Sequence, residues 1–536
     1  MSSLKSLGLT DDLNSAMKNL LGQIVPALAL ALVLAFASAL RFPGLAAVPP
    51  GLHGDEAASG LEAQRIRTDG WIGVYSDAAA GTPTGYYHLV ALTTAVFGDS
   101  IHGVRMASAL LGVATIGLVF VLVRGDFGLV AAVAASGLLA ASVWHRIFSR
   151  MGHLVISWPL IVLLATLAMR QAIRTGFWAW WAVSGALFAT GIYLYYAHVV
   201  FLAAFGVVAV FVAPTLLFRR RLAGRAVAAF TIAFGAAALP MLMFIATHPD
   251  QFLRRAEPIS LFSLPEWNMQ TDLLGKFRFL AGRYVEGWDR LSFHPEPTPI
   301  DLTGVVPLVT PAALLLSGIG LVICVARYRH PAAVLAAVVV VVMPMAPGLF
   351  TDFAMRRAFV IAPFLAMFGG IAIAQLLASV RDRPRWIRAA MAVGVGCWLL
   401  LIVYRDLRAF STTMVSSNTR WALGPELVEA TRFFNRLPGT AFVHFYSVRW
   451  PLEHEVVRFL APSIRGETRG APFGSDSLEI AQGGGEHVFV LLGEYRDRLP
   501  RLVERYPGGR IVSGPPSNGT DDGPSYQAYV LPEKPR

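Results

Sequence analysis

Eleven apolar stretches, each long enough to cross a lipid bilayer, constrain this chain more than any other feature. A transmembrane helix needs about 20 predominantly apolar residues, and a water-soluble core rarely contains so many such runs. The composition agrees, since 55% of the residues are hydrophobic, only 15% are charged and the mean hydropathy is +0.56. We therefore expect a polytopic α-helical membrane protein with about 11 transmembrane helices. The stretches lie near residues 24–46, 104–123, 127–145, 152–172, 177–195, 197–218, 223–247, 301–325, 331–348, 357–379 and 385–404.

Basic residues between these stretches indicate which ends face the cytoplasm, because positively charged loops tend to remain there. Even numbers of spans separate the basic clusters only if the shorter apolar run at 82–98 does not cross. We expect that run to lie along the outer surface, or to dip in and return. The predicted topology is that of a multi-pass protein of the cell (plasma or inner) membrane. Residues 1–23 are cytoplasmic in it, and a first loop (47–103) and a large loop (248–300) lie outside. The clusters are Lys5 with Lys18, Arg124, Arg170 with Arg174, 218–225, 326–330 and 381–388.

The formal net charge of +11 would also suit a nucleic-acid-binding protein. Most of the arginines, however, punctuate apolar segments as cytoplasmic membrane loops do, so we expect lipid rather than nucleic acid as the surrounding partner. The cysteines, Cys324 and Cys397, both fall inside apolar runs. The sequence therefore predicts neither a disulfide framework nor a zinc site.

The composition changes after Tyr404, where the chain becomes polar. We expect residues 24–404 to form the membrane-embedded part and residues 405–536 to form a small extracytoplasmic α/β domain. The features that indicate it are a helix-like run at 427–437 and strand-like runs at 440–447, 487–495 and 526–532.

Two adjacent carboxylates, Asp55 and Glu56, open a helix-like segment soon after the first apolar stretch. One interpretation is that Asp55 is a plain N-cap of a solvated surface helix. The other is functional, because two carboxylates close to a membrane repel each other and are partly desolvated, a costly arrangement unless they meet a cation or a substrate. The residues alone leave both interpretations open.

Arginines on the predicted outer side form a second group, each within a few residues of a span, where an isolated arginine is expensive. They would be merely structural if their side chains snorkel to lipid headgroups. Several loops that bring arginines opposite a carboxylate pair instead indicate a shared anionic ligand, and the planar guanidinium fits phosphate well. The group comprises Arg146, Arg150, Arg254, Arg255, Arg356 and Arg357.

Histidines and tyrosines lie at a similar depth, and most are expected to be packing residues because such side chains are common at membrane interfaces. Four are retained as candidate substrate-binding residues: Tyr195, Tyr196, His198 and His248. A divalent cation is a possible cofactor that the sequence does not decide. Its oxygen ligands would be Asp55 and Glu56, with His248 as a third candidate.

Four stretches follow one another in a characteristic order: HGDEA (53–57), GTPTGYYHLVALTTAVFGDSIHGVRMASALLG (81–112), IFSRMGHLVISWPL (147–160) and DFAMRRAFVIAPFLAMFGG (352–370). In this order they resemble the GT-C glycosyltransferases that use lipid-phosphate sugars, in particular the protein O-mannosyltransferases and the lipid A aminoarabinose transferases. The similarity spans roughly residues 20–380, is carried by the order of the motifs, and does not cover the C-terminal part.

The chain also departs from this family. No carboxylate follows the serine-arginine stretch at MGHLVIS, where the family usually has an Asp. Gly81-Thr82-Pro83-Thr84 replaces the Glu-Lys of the aminoarabinose enzymes. Roles of those missing residues are not carried over. A WWD-type motif and DxD are also absent from the sequence, which argues against an oligosaccharyltransferase.

The resemblance implies an inverting, single displacement of a sugar from a polyprenyl-phosphate donor on the extracytoplasmic face. Asp55 would accept the proton of the attacking hydroxyl, and Glu56 would orient the acceptor or bind a cation. The acceptor would be a glycan, a lipid or a protein. Cations would stabilise the departing phosphate; the candidates are Arg254, Arg255, Arg356 and Arg357, with Arg150 next.

A multi-span lipid or glycan transporter (a flippase) is the main alternative. Such a protein would tend to place ionisable groups near the bilayer midplane and to show internal repetition. The predicted spans are nearly free of charge in their middles and show no repeat. A non-catalytic scaffold is a further alternative, but it leaves the acidic pair unexplained.

Overall fold

The computed structural model describes residues 9–206, 209, 224–295, 306–327, 331–480, 486–517 and 523–531. The helices are α1 (Leu9–Arg41), α2 (Gly54–Asp69), α3 (Gly85–Phe97), α4 (Ile101–Ala141), α5 (Val143–Arg150), α6 (Ser157–Thr175), α7 (Trp178–Thr190), α8 (Gly224–Thr247), α9 (Pro249–Ile259), α10 (Pro265–Asn268), α11 (Leu273–Ser292), α12 (Pro311–Arg327), α13 (Pro331–Val342), α14 (Ile361–Ser379), α15 (Arg385–Val415), α16 (Ser417–Leu423), α17 (Pro425–Phe434), α18 (Glu455–Leu460) and α19 (Leu499–Arg505). The strands are β1 (Tyr75–Ser76), β2 (Thr82–Pro83), β3 (Phe442–Tyr446), β4 (Arg465–Arg469), β5 (His487–Leu491), β6 (Arg510–Ser513) and β7 (Gln527–Leu531).

Six helices among these residues are long and apolar enough to cross a membrane. The predicted class, a polytopic α-helical membrane protein, is thereby confirmed, whereas the number of 11 spans stays a prediction. Half of the predicted span at 197–218 lies outside the described residues. The six are Leu20–Arg41, Ile101–Ala141, Leu154–Thr175, Gly224–Thr247, Ile361–Ser379 and Arg385–Val415, and two shorter apolar helices are Pro311–Ala326 and Val334–Met345.

Helix α4 is broken at Gly128, whose φ of 86° is not helical. Arg41 shows how the two halves are arranged. Its Nη1 donates to the carbonyl of Ala140 at 3.1 Å, and a β-carbon on Gly112 would lie 3.4 Å from its Nε. A straight helix would hold Gly112 and Ala140 about 42 Å apart. The halves therefore fold back on each other, as the two separate predicted spans 104–123 and 127–145 require.

The ambiguous run at 82–98 forms α3, which has 13 residues. A helix of that length is about 20 Å long, which is too short to cross the hydrocarbon core. Its Tyr86 and Tyr87 are fully buried, and Tyr86 shares a hydrogen bond of 2.7 Å with Ser108 of α4. This short helix therefore packs against α4.

Two buried arginines fix the start of the first loop. Arg105 donates to the carbonyls of Leu45, Pro49 and Gly51 at 3.2, 2.7 and 2.7 Å. Arg150 donates to other backbone carbonyls of the same stretch, including that of Val48 at 2.9 Å. The two arginines thus fix the backbone of residues 45–51, which leads directly into α2.

The C-terminal part contains a five-stranded sheet with strand order β4-β3-β5-β7-β6. Strand β3 runs parallel to β4 and β5, and β7 is antiparallel to β5 and β6. Helix α15 runs on to Val415, so the predicted boundary at residue 405 falls inside a continuous helix. The reason is that Phe410 and Met414 continue its apolar face and pack in one cluster with α5. The division into domains itself stays a prediction.

Candidate active site

Asp55 lies in the first turn of α2, but it is not the cap of that helix. The N-cap is His53, whose Nδ1 accepts a hydrogen bond from the backbone N–H of Asp55 at 3.1 Å. The interpretation of Asp55 as a plain N-cap is therefore wrong. Its side chain is 34% exposed, and its Oδ2 lies 3.8 Å from His53 Nδ1 and 3.9 Å from His153 Nε2.

Glu56 occupies a different environment from its neighbour, since it is fully buried. Its carboxylate accepts from Arg105 Nε at 2.9 Å and Nη2 at 3.1 Å, and from the backbone N–H groups of Gly152 at 2.6 Å and His53 at 3.0 Å. Burial alone would raise the pKa of Glu56, but the Arg105 guanidinium and these hydrogen bonds hold it below its usual value. Glu56 is thus a structural centre that ties together α2, α4 and the segment after α5.

A cavity of about 480 Å3 brings Asp55 together with several of the predicted residues. We call it the arginine cavity. Of the predicted site residues, it is lined by Asp55, Tyr195, Tyr196, Arg254, Arg356 and Arg357. Residues from four distant parts of the sequence therefore face one space. With Asp77 and Asp352, which also line it, its walls carry three carboxylates and three guanidinium groups.

Asp352 holds the arginine pair in place. It pairs with Arg357 and, at 3.3 Å, with Arg356. Burial raises the pKa of Asp352, but the Arg357 and Arg356 charges outweigh it and leave the pKa below its usual value. Arg357 is 2% exposed, its guanidinium lies 4.0 Å from the centre of the Phe350 ring, and its Nε has no hydrogen-bond partner among the described residues. The pair is anchored while part of its donor capacity remains unused.

The loop that carries Arg356 and Arg357 is joined to the end of α9. Thr351 N donates to the Ile259 carbonyl at 2.9 Å, and Ser260 forms an isolated β-bridge with Phe350. This contact brings Arg254 of α9 to the same cavity, and places part of the predicted large loop against it.

Tyr195, Tyr196 and His198 are close in the sequence (YYAHV, 195–199) but have different surroundings. Tyr195 and Tyr196 line the arginine cavity and contact each other, with ring centres 6.0 Å apart. His198 is fully buried and lies outside that cavity. Its Nδ1 accepts from Trp158 Nε1 at 2.7 Å, so its Nε2 carries the proton and donates to the Phe188 carbonyl at 2.7 Å. Both ring nitrogens therefore form hydrogen bonds within the protein interior.

Two further predicted residues, Arg150 and His248, are not brought to the cavity. Arg150 spends its donors on backbone carbonyls, as described above. His248 is exposed at the start of α9, where it stacks on Phe244 and bonds to Thr247 at 2.8 Å. The side chain of Arg255 lies outside the described part of the structure. Within that part, groups of three or more His, Cys, Asp and Glu suited to a metal ion are absent, and the divalent cation stays a prediction.

Some cavity residues were missed by sequence reasoning. His153 is not one of the four side chains retained as candidates, yet its Nδ1 accepts from Val155 N at 3.2 Å, which leaves Nε2 directed toward Asp55. Asp77 and Asp352 also line the cavity. Asp352 was within reach of inference, because it stands four and five residues before the arginines it pairs with. Asp77 carried no such signal.

Ala79 and Ala80 line the same cavity in an uncommon backbone conformation, with φ of 50° and 62°. Residues other than glycine pay of order 1 kcal/mol or more for the left-handed region, and such strain is concentrated at functional sites. The short turn between β1 and β2 is therefore held against its own preference at the edge of the cavity.

Comparison with known proteins bears on the fold of the chain. Residues 82–254 match the family described as dolichyl-phosphate-mannose-protein mannosyltransferase. ArnT from Cupriavidus metallidurans, solved bound to undecaprenyl phosphate, has a similar structure, with a TM-score of 0.53 and 14% identity over 95% of this chain and 98% of that one. An oligosaccharyltransferase from Archaeoglobus fulgidus in the apo form gives a TM-score of 0.54 and 12% identity over 92% of this chain and 70% of that one.

The chain has a GT-C fold. A third structure is similar too: AglB from Archaeoglobus fulgidus in complex with an inhibitory peptide and a dolichol-phosphate, at a TM-score of 0.51 and 15% identity over 83% of this chain and 64% of that one. The resemblance inferred from the order of the motifs is thus confirmed. No curated protein matches the chain. The family match includes Arg150, Tyr195 and Arg254, but neither Asp55 nor the Arg356-Arg357 pair.

Proposed function

We propose that this protein is an integral-membrane glycosyltransferase. It transfers a sugar from a polyprenyl-phosphate donor to an acceptor hydroxyl, with Asp55 as the general base. The observation that carries the proposal is the arginine cavity, in which the carboxylate of Asp55 faces Arg254, Arg356 and Arg357. A phosphate-linked sugar needs a base for the incoming hydroxyl and cations for the departing phosphate, and this cavity supplies both.

The reaction is a single displacement at the anomeric carbon. The acceptor oxygen forms a bond to that carbon while the bond from the carbon to the phosphate oxygen breaks, and the electron pair leaves with the phosphate. Asp55 takes the proton of the acceptor hydroxyl. A phosphate is already a good leaving group, so a second carboxylate is not required as general acid.

The arginine pair is suited to the charge that develops on the phosphate. Arg357 has an unused Nε, and both guanidinium groups are positioned by Asp352. A planar guanidinium forms paired hydrogen bonds to phosphate oxygens. Arg254 of α9 lines the same cavity and is the third cation that would face the donor phosphate.

Glu56 has a positioning role in this proposal and does not touch substrate, because its oxygens are occupied by Arg105 and two backbone N–H groups. The same argument assigns Arg150 to the backbone of the first loop. The reaction takes place on the extracytoplasmic side, which is supported by the basic clusters in the loops predicted to face the cytoplasm.

The similar fold of the undecaprenyl-phosphate-bound ArnT, over 98% of that chain, supports a polyprenyl-phosphate donor. The family match to dolichyl-phosphate-mannose-protein mannosyltransferases supports the same donor class. Neither likeness selects the sugar.

The experiment that tests the proposal is donor consumption by the purified protein in lipid, with a panel of radiolabelled polyprenyl-phosphate sugars. We expect the wild type to release label from one donor, to water if to nothing else, and Asp55→Asn to lose this activity. Asp77→Asn is the matched control, because Asp77 is a second carboxylate of the same cavity. If the wild type consumes no donor but moves one across the bilayer, the protein is a flippase and the proposal is wrong.

A further inference from the structure

A second cavity, of about 640 Å3, also borders Asp55. We call it the tryptophan cavity. Asp55 and Ala79 line both cavities. The other walls of the tryptophan cavity come from the start of α2 and from residues 421–455 of the C-terminal part. Asp55 therefore stands between two spaces, one with three arginines on its walls and one of different chemistry.

Two indole rings and a guanidinium form the most distinctive wall of this second space. The Arg449 guanidinium lies 4.5 Å from the centre of the Trp421 ring and 4.0 Å from that of Trp450. Arg449 also pairs with Glu426 at 3.1 Å and donates to the Trp421 carbonyl. Its charge is thus largely compensated, and its main effect is to hold the rings as a rigid surface. Trp421 is 52% exposed, so part of its ring is accessible to a ligand.

The C-terminal part is packed directly on the helix that carries Asp55. Leu52 N donates to the Leu423 carbonyl at 2.8 Å, immediately before α2. Further along α2, Phe459 of α18 lies so close to Gly60 that a β-carbon there would be 2.5 Å from its ring. The tryptophan wall is consequently held at a fixed position relative to Asp55.

In a single displacement the acceptor oxygen attacks the anomeric carbon from the side opposite to the departing phosphate, so acceptor and phosphate occupy different spaces. Two cavities that share Asp55 satisfy this requirement, because a base at the junction reaches the acceptor hydroxyl of one and the donor sugar of the other. The arginines assign the donor phosphate to the arginine cavity, and the acceptor is left to the tryptophan cavity.

The chemistry of the tryptophan cavity selects a class of acceptor. A sugar ring has an apolar face of C–H groups, which packs against the electron-rich face of an indole. Its hydroxyls both donate and accept, and they would meet the carboxylate of Glu455, the imidazole of His454 and Asp55 around the rim. A lipid tail would meet these polar groups without partners.

We propose that the tryptophan cavity binds a carbohydrate acceptor, with Trp421 and Trp450 as its stacking surface, so that the C-terminal part completes the acceptor site. This inference rests on the proposed function for the role of the ligand, but not for its binding. The carbohydrate is either a free oligosaccharide or the headgroup of a glycolipid.

The test is binding of the full-length purified protein to a glycan array that carries oligosaccharides and glycolipid headgroups, beside an array of serine- and threonine-containing peptides. We expect the wild type to bind glycan spots, and Trp421→Ala to bind them at least ten-fold more weakly, with Trp421→Phe between the two. The matched control is Trp386→Ala, since Trp386 is 72% exposed at the start of α15 and lines neither cavity. Free-oligosaccharide spots and glycolipid spots distinguish the two sources.

Binding of peptides alone, no binding of any glycan, or equal binding by Trp421→Ala would overturn the inference. Donor consumption by the wild type is measured in parallel and tests the proposed function separately. Trp421-dependent glycan binding without donor consumption would leave the carbohydrate site standing on a protein that is not a transferase.

Discussion

Two pairs of arginines lie at similar distances from membrane spans, yet they differ in what they bind. Arg105 and Arg150 are buried and donate to Glu56 and to backbone carbonyls. Arg356 and Arg357 share one carboxylate, Asp352, and line a cavity. The first pair holds the loop, and the second pair is the one that we propose binds a ligand. Asp55 and Glu56 repeat the contrast, since adjacent carboxylates are directed to opposite tasks.

The largest expected effect separates the two carboxylates by activity. Asp55→Asn keeps the shape of the side chain and removes the base, so we expect sugar transfer to fall by about 10²- to 10⁴-fold. The thermal midpoint should stay within about 2 °C of wild type, because Asp55 is partly exposed and does not hold the loop. Transfer assays and thermal unfolding of the same preparations check both parts. An inactive Asp55→Asn that is also unfolded would place Asp55 with the structural group.

The next prediction concerns stability and the other carboxylate. Arg105→Met leaves Glu56 buried without its cation, a change that typically destabilises by about 3–5 kcal/mol. We expect a large fall in thermal midpoint and in the yield of folded protein. The double variant Arg105→Met with Glu56→Gln should recover part of this loss, since it removes the unpaired charge. A fully stable but inactive Arg105→Met would mean that the pair serves chemistry rather than the fold.

Alanine substitutions of Arg357 and Arg150 compare activity with stability in the same way, with smaller expected effects. Arg357→Ala should lower kcat for sugar transfer by about 10²- to 10³-fold, as loss of one group that stabilises a developing anion does. Arg150→Ala should instead lower the thermal midpoint, with a proportionate loss of folded enzyme and a nearly unchanged kcat per folded molecule. Steady-state kinetics normalised to the folded fraction distinguishes the two. If Arg150→Ala lowers kcat as much as Arg357→Ala, the original assignment of Arg150 to the donor phosphate is restored.

The structure also shows how much of the fold and of the site could be predicted from the sequence alone. The order of the motifs and the apolar stretches were sufficient for the class of fold, and the positions of Asp55, Arg356 and Arg357 were sufficient to bring them to one site. The sequence could not separate Arg150 from Arg357, because both follow the same local pattern beside a span. What separates them is which carbonyls or carboxylates lie within 3 Å, and those partners are about 100 residues away for Arg150. The position of His198 outside the cavity could not be predicted for the same reason, since its partner Trp158 is 40 residues distant.

The acid side of the stability profile gives a milder test of Glu56. Because its pKa in the folded protein is below the usual value, its ionised form stabilises the fold at pH values above the unfolded pKa, near 4.3. That stabilisation is lost as the pH falls from there through the folded pKa. We expect the thermal midpoint of the wild type to fall more steeply below about pH 4.5 than that of Glu56→Gln. Parallel slopes for the two proteins would show that other groups control the acid response.

The smallest expected effect concerns His153, which contacts Asp55 without belonging to either group of arginines. Its Nδ1 accepts from Val155 N, so in the neutral ring Nε2 carries the proton and is directed toward the Asp55 carboxylate, 3.9 Å away. We expect it to be a positioning residue, and His153→Gln to lower kcat about ten-fold with little change in acceptor KM. Gln retains an N–H donor, so His153→Ala should be the more severe variant. The pH dependence of kcat identifies the role: loss of a positioning contact lowers the profile but keeps its shape. If His153→Gln removes the limb that Asp55 is expected to produce, the imidazole takes the proton of the acceptor itself, and Asp55 serves to hold the imidazole.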